Sequence, residues 1–582
     1  MKNPNRMNAT LSKDLFVKWI SRLCKNVAPM RQATSSNLRA IRRTEKANAT
    51  ATAQAEGPLH KMFRDSVARL GRRKQWMNTC KRNVRIGIFK DDNIYMDPLE
   101  VHNEEPNKTN YLNCGNLDEY VYNRSNIGMN TIMIHSKYMN IKLVNKLYKQ
   151  LRDSEVNYTQ RFIFLTSLYN DVFNYGYNLY DFLKILEMYQ RTKNGKYANI
   201  FKKILTNIND LAYLMFSYKK PLISYCNGKT KGSSGFLSFL ANNSASYVHS
   251  SYSYNNLEYS FLPYGGISYV LANLRGSLGF YLALTGQVIN STDLIWSGLS
   301  KRWISEDSLE LMEVTSESQL EVSEQDANIL LEEHFLRVPK MYTLKDYEEI
   351  IYEHFKYDNL LYVLKKLDES RKNGNDKIKK WAEETYNKIC TSPPLATHIT
   401  FEMLLILRNF KMELLKKAQI TKKLWKEILK NSYKVTPKTK EEVSMCELKN
   451  TIDKELFIKA LNIETNTILN FISCPDILNG ITTYLVKNHN NSFKGTYINN
   501  NIFEIKKDII HYFLFYKNSY EYAPYDRPDI SFSSLSSLEK CNQHYNAHHG
   551  ASHDRFFFAR QHERWSDNYL KDELEEMNNQ VL

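Results

Sequence analysis

The 582-residue chain is first narrowed by what it lacks. Its eight cysteines, at 24, 80, 114, 226, 390, 446, 474 and 541, form no C-x-x-C pair. Such scatter fits reduced thiols in an intracellular compartment better than a disulfide framework. No apolar run approaches the roughly 18 to 20 residues that cross a bilayer, so no membrane span is expected. No internal repeat is visible. Acids are missing from two places. Residues 1–85 hold 20 Lys and Arg against four acids (Asp14, Glu45, Glu56, Asp65), which equals the +16 net charge of the whole chain. Between 211 and 292 there is one carboxylate, Glu258.

The first absence describes a neutral body with a cationic arm, which suits a polyanion or import into an organelle. Within the first 44 residues, Leu15, Phe16, Trp19, Ile20 and Leu23 fall at helical spacing with Lys18 and Arg22 opposite. Amphipathic, basic and poor in acids, this has the make-up of a mitochondrial transit peptide; a basic arm kept on the mature protein is the alternative. "ATATAQAEG" (49–57) reads as a linker, and "RLGRRKQW" (69–76) as a basic cluster beside an aromatic. Arg72, Arg73, Lys74, Lys81 and Arg82 are candidates for phosphate contact.

From about residue 126 strands and helices alternate. "NTIMIHS" (130–136), "RFIFLTSL" (161–168) and "KPLISYCNG" (220–228) read as buried strands. "IKLVNKLYKQLRD" (141–153) and "LYDFLKILEMYQRT" (179–192) read as amphipathic helices, with more helix to Tyr218. That order implies a mostly parallel sheet with crossover helices, an α/β domain. Beyond Glu306 the pattern is helical to about 520.

Four stretches carry a family resemblance: "VFNYGYNLYDF" (172–182), "KPLISYCNGKTKGSSGFLS" (220–238), "LPYGGISYVLANLRGSLGFYLALTG" (262–286) and "CPDILNGITTYLVKNHNNSFKG" (474–495). "NKICTSPPLATHIT" (387–400) adds a local one. Together they resemble the crotonase (enoyl-CoA hydratase) superfamily, and within it 3-hydroxyisobutyryl-CoA hydrolase. The resemblance implies a ββα superhelix core (126–310) and a helical C-terminal region (311–520) with a lysine-rich insertion near 409–465. These are flanked by a basic N-terminal extension (1–125) and an interaction tail (521–582).

The same resemblance implies chemistry that the sequence does not carry. Relatives bind a thioester carbonyl with two backbone N–H groups at glycine turns. The first turn here is Asn174-Tyr175-Gly176-Tyr177-Asn178, with one glycine and a large side chain where an acyl group needs room. The second keeps Gly228 and Gly232, but the following glycines are Ser233 and Ser234. The hydrolase's glutamate and aspartate positions fall on Asn256 and Tyr264, neither a base near neutral pH. The C-terminal turn's acid and arginine read Asn479 and Thr482 beside Gly480. Glu258 is the fallback base if the register shifts by two. With no catalytic residue in place, the expectation is a pseudoenzyme.

The insertion contains "KMELLKKAQITKKLWKEILKNSYKVTPKTK" (411–440), ten lysines against Glu413 and Glu427. Leu414, Leu415, Ala418, Leu424, Ile428 and Leu429 make it an amphipathic hairpin with a basic face. A solvated lysine face explains it too; with the basic arm, Lys416, Lys417, Lys422, Lys423, Lys426 and Lys430 become candidates for an RNA backbone. In the tail, Cys541, His544, His548 and His553 match no common zinc spacing, so no metal is expected. Phe556–Phe558 and Arg560 would suit docking or base stacking.

Some mitochondrial ribosomes carry a hydrolase-like protein in the small subunit, and the charge, the lost acids and the extensions fit that use. The expectation is a mitochondrial-matrix protein, monomeric within the assembly, contacting ribosomal RNA and other ribosomal proteins, without cofactor. Two alternatives stay open: a divergent acyl-CoA hydrolase or hydratase acting on a CoA thioester, and a CoA-binding module without catalysis.

Overall fold

The computed structural model describes residues 120–125, 128–157, 159–169, 171–305, 335–336, 338, 342–418, 440–487, 497–516 and 520–524. A first unit, Met1–His102, lies outside them; the fold described here belongs to the second, Asn103–Leu582. The candidates Arg72, Arg73, Lys74, Lys81 and Arg82, hairpin residues 419–439 and the tail from 525 also lie outside the described residues.

Strand β1 (Val121–Ser125) pairs antiparallel with β2 (Gly128–Ile134). It therefore belongs to the sheet, upstream of the expected boundary at 126. Helix α1 (Ile141–Val156) crosses to β3 (Gln160–Ser167), then β4 (Val172–Asn174), α2 (Leu179–Thr192) and α3 (Gly195–Phe216). Next come β5 (Leu222–Cys226), β6 (Lys229–Lys231), the short α4 (Phe236–Phe239), β7 (Asn243–Ser246) and β8 (Ser251–Ser253). A single 3-10 turn (Asn256–Tyr259) leads to α5 (Ile267–Ala272) and α6 (Leu278–Thr285), then β9 (Ile289–Asn290), α7 (Ser291–Ser297) and β10 (Arg302–Trp303).

These strands form two sheets where the hydropathy pattern suggests one. A six-stranded sheet runs β1-β2-β3-β5-β7-β10, parallel except for its first pair. A four-stranded sheet runs β4-β6-β8-β9. Its strands are two or three residues long, too short to show any periodicity. From β3 to β8 the chain alternates between the two sheets, which pairs β4 with β6 and brings the turns after them side by side.

Asparagine starts the helices. Asn140, Asn178, Asn194, Asn290, Asn359 and Asn375 each occupy an N-cap and accept a hydrogen bond from the first helical turn. Each such cap contributes about 1 kcal/mol over alanine. Asparagine thus has a recurring structural use in this chain.

The C-terminal region comprises α8 (Glu348–Phe355), α9 (Leu360–Asn373), α10 (Asp376–Thr391), α11 (Pro394–Lys417), α12 (Lys440–Phe471), α13 (Pro475–Lys487) and α14 (Lys507–Phe515). One hydrophobic cluster runs from Val121 to Tyr522, so these helices share the core of the strands. Leu414 and Leu415, the first hairpin residues that the structure describes as buried, join Leu407, Ile452, Leu456 and Ala460 in a small separate core. Helix α12, which begins inside the expected insertion, continues past its expected end at 465 and buries Ile468 and Phe471 in the main core.

Candidate functional site

The first turn joins β4 to α2. Gly176 sits at φ +99°, a conformation that side chains disfavour. All four N–H groups around it donate within the chain. Tyr175 donates to the Lys137 carbonyl at 2.7 Å, and Gly176 to Asn174 Oδ1 at 2.9 Å. Tyr177 donates to the Tyr264 hydroxyl at 3.1 Å, and Asn178 to the Met139 carbonyl at 2.7 Å. A donor already bonded is not available to an incoming carbonyl oxygen without breaking that bond.

The second turn follows β6. Gly228 is required by the close approach of the chain to itself: a Cβ there would lie 2.4 Å from the Asp171 carbonyl carbon. Gly232, at φ +59°, would place a Cβ 2.2 Å from Asn256 Oδ1. The Ser233 N–H donates to that same Oδ1 at 3.2 Å, and the Ser233 hydroxyl oxygen accepts the Tyr264 N–H at 3.2 Å. Ser234 Oγ donates to the carbonyls of Lys231 and Asn174, stitching the two turns together.

Asn256 and Tyr264, the positions where the resemblance puts catalytic acids, therefore both face the turns. Asn256 is fully buried and uses both ends of its amide. Oδ1 also accepts the Tyr259 hydroxyl at 2.7 Å, while Nδ2 donates to Ser233 Oγ at 2.8 Å and the Leu262 carbonyl at 3.0 Å. Burial pushes the phenols of Tyr264, Tyr177 and Tyr259 well above the ordinary tyrosine range. They stay neutral and cannot take up a substrate proton.

Aromatic rings fill the space in front of the first turn. Tyr177 stacks on Phe182 at 4.3 Å, Phe182 stacks on Phe261 at 5.0 Å, and Tyr264 meets Phe261 edge-on at 5.7 Å. All four are buried. The fallback base Glu258 is exposed, while its 3-10 neighbours Asn256, Leu257 and Tyr259 are inside. Asn479 and Thr482 lie within α13, a continuous helix where a turn is expected. Gly480 lets that helix sit directly on the 3-10 turn, since a Cβ would come within 2.2 Å of Ser260 Cβ.

Among the buried acids that the sequence does not single out is Glu464, joined to these elements through α5. Glu464 of α12 accepts the N–H groups of Gly266 at 2.7 Å and Ser268 at 2.8 Å, capping α5 from another element. Burial outweighs these bonds and pushes its carboxyl up to about 7. The signal was present: Phe457, Leu461, Glu464, Ile468 and Phe471 repeat on one helical stripe, so an acid sits where an apolar residue is expected. Of the RNA candidates, Lys416 and Lys417 are exposed at the end of α11, and the others fall outside the described residues. Among the described residues no cluster of His, Cys, Asp and Glu could hold a metal ion, and no helix is long and apolar enough to cross a membrane.

Comparison with known proteins agrees with this geometry. The family model for enoyl-CoA hydratase/isomerase matches residues 136–419. A small ribosomal subunit protein mS47 of Arabidopsis thaliana is 26% identical over 223 residues, 38% of this chain and 53% of the relative. One of Neurospora crassa is 23% identical, over 33% and 40%. A mitochondrial 3-hydroxyisobutyryl-CoA hydrolase of Mus musculus is 22% identical over 39% and 62%. The chain thus spans about half the length of the curated relatives it matches. A carnitinyl-CoA dehydratase from Mycobacterium thermoresistibile, 16% identical, superimposes with a TM-score of 0.51 over 71% of this chain and 99% of that one, which establishes the fold alone. Residues 136–419 therefore match the enoyl-CoA hydratase/isomerase family, and the chain shares the crotonase fold.

Proposed function

We propose that this chain is a structural component of the small subunit of the mitochondrial ribosome, built on a degenerate 3-hydroxyisobutyryl-CoA hydrolase-like scaffold. The observation that carries the reading is the fate of the two turns: their N–H groups are bonded to Asn174, Asn256 and Tyr264, the last two standing where the family's acids would be. A catalytic oxyanion site keeps its donors preorganised for charge that develops in the reaction. Here the donors serve the fold. Relatives named as small ribosomal subunit proteins support the assembly role, and hydrolase relatives named as mitochondrial support the compartment.

In this reading the protein is no enzyme, needs no cofactor and sits as one copy in the matrix-side assembly. Ribosomal RNA is met by the cationic arm, including Arg72, Arg73 and Lys74, and by the hairpin lysines from Lys416 to Lys430; neighbouring proteins take the remaining extensions. The test is sedimentation of tagged protein from mitochondrial lysate through a high-salt, magnesium-containing gradient, with and without EDTA. Co-migration with the small subunit that shifts on magnesium removal supports the assembly role. Migration as a free monomer or trimer defeats it and turns attention to thioester hydrolysis.

A further inference from the structure

We propose that the outer rim of the two turns is a binding strip for single-stranded RNA. It is formed by Lys137, Tyr138, Tyr175, Lys229 and Lys231, and the inference rests on the ribosomal reading above. The backbone brings these residues together. Segment 137–139 lies along the first turn, through Tyr175 N–H to the Lys137 carbonyl, Met139 N–H to the Gly176 carbonyl, and the pairing of Met139 with Tyr177. Strand β6 lies on the other side, with Val172 opposite Lys229 and Asn174 opposite Thr230. Thr230 is buried, so Lys229 and Lys231 share the outward face.

The side chains alternate cation and ring. Lys231 Nζ stands 5.1 Å from the centre of the Tyr175 ring, and Tyr175 meets Tyr138 edge-on at 5.7 Å. Lys137 Nζ stands 5.4 Å from the Tyr169 ring, which also stacks with His135. Tyr138 is 44% exposed, Lys137 and Lys229 are exposed, and Tyr175 and Lys231 are partly so. Across segments 135–139, 169–177 and 227–232 the only acid is Asp171. Ammonium groups for phosphates, interleaved with aromatic rings for bases, are the chemistry by which single strands are held. A duplex offers no free base faces to these rings. An acidic peptide would use the lysines and leave the rings idle, so RNA fits more of the strip.

The experiment uses the full chain and a fluorescent twelve-nucleotide oligouridylate, with a duplex of equal length as control. Tyr138→Ala should weaken single-strand binding about five-fold or more, since one base–ring stack is being removed. Tyr138→Phe should stay within about two-fold, because the ring remains. The triple change Lys137→Ala, Lys229→Ala and Lys231→Ala should lower the slope of log affinity against log salt by about 2, near 0.7 per lost phosphate contact. Equal affinities for the Ala and Phe forms with an unchanged salt slope would overturn the strip, as would preference for duplex or ultraviolet cross-links from Tyr138 to protein alone. The ribosomal reading is scored separately, by co-sedimentation of the wild-type chain. That result can stand while the strip falls, or fail while oligouridylate binding by the strip holds.

Discussion

Asn256→Ala tests whether the two turns are held by the residue at the position where the resemblance places the first acid. Asn256 makes four hydrogen bonds at full burial, to Ser233 N–H, Ser233 Oγ, Tyr259 Oη and the Leu262 carbonyl. The two hydroxyls can rotate towards other partners. The Ser233 N–H and the Leu262 carbonyl are fixed by the backbone and would be left unpaired, at about 1–3 kcal/mol each. A water entering the hole finds polar partners there and recovers part of this loss. The expected destabilisation is therefore about 3 kcal/mol, large for one substitution. Hydrogen exchange, followed by mass spectrometry on peptides covering 228–240 and 254–266, reads it locally, without assuming two-state unfolding of so long a chain. Asn256→Asp keeps the acceptor but loses the amide donor. A buried carboxyl without a cation resists ionisation, so its destabilisation should grow as pH rises. Asn256→Ala with protection in both peptides unchanged to within about 0.5 kcal/mol would refute the structural role.

Three further substitutions and one assay extend the test. Tyr264→Phe removes the acceptor of the Tyr177 N–H and should speed exchange at Tyr177 by about ten-fold, near the 1.4 kcal/mol of one buried hydrogen bond; no change would mean that this bond holds nothing. Glu464→Gln should flatten a pH dependence. With its folded carboxyl raised to about 7 from an ordinary 4.5, the native state holds a proton that the unfolded chain has released. Wild-type stability should therefore fall as pH rises through that window, by about 3 kcal/mol, and level off above it. Parallel pH profiles of wild type and variant melting temperature would dismiss Glu464 as the cause. Gly480→Ala pushes a Cβ to 2.7 Å from the Tyr259 carbonyl oxygen, and overpacking against backbone should cost about 1–3 kcal/mol in thermal unfolding. Finally, purified protein should hydrolyse 3-hydroxyisobutyryl-CoA no faster than buffer; turnover abolished by Glu258→Gln would restore the hydrolase alternative.

The longer elements were legible from periodicity. The expected helix 179–192 matches α2 in both bounds, and the buried strands at 130–136 and 161–168 fall within one or two residues of β2 and β3. These elements bury a continuous stripe or both faces of a strand, which imprints a pattern on a single segment. The second sheet was not legible, because β6 and β8 have three residues each and exist only through their neighbours. The boundary at 126 cut off β1, whose burial fades from Val121 to the exposed Ser125 in the manner of an edge strand.

Sequence alone determined that neither an amide at 256 nor a phenol at 264 is a base near neutral pH, since that follows from residue identity. It also fixed where the charge lies, since net charge is a sum over residues and needs no coordinates. What these substitutions do instead was decided only by tertiary structure. Asn256 reaches Ser233 across 23 residues and Tyr264 reaches Tyr177 across 87. The cap of α5 comes from Glu464, 198 residues from Gly266. Hydrogen bonds between segments so far apart leave no local pattern. They follow from which turns the superhelix brings together, and here it brings both glycine turns onto Asn256 and Tyr264, the positions where the resemblance places acids.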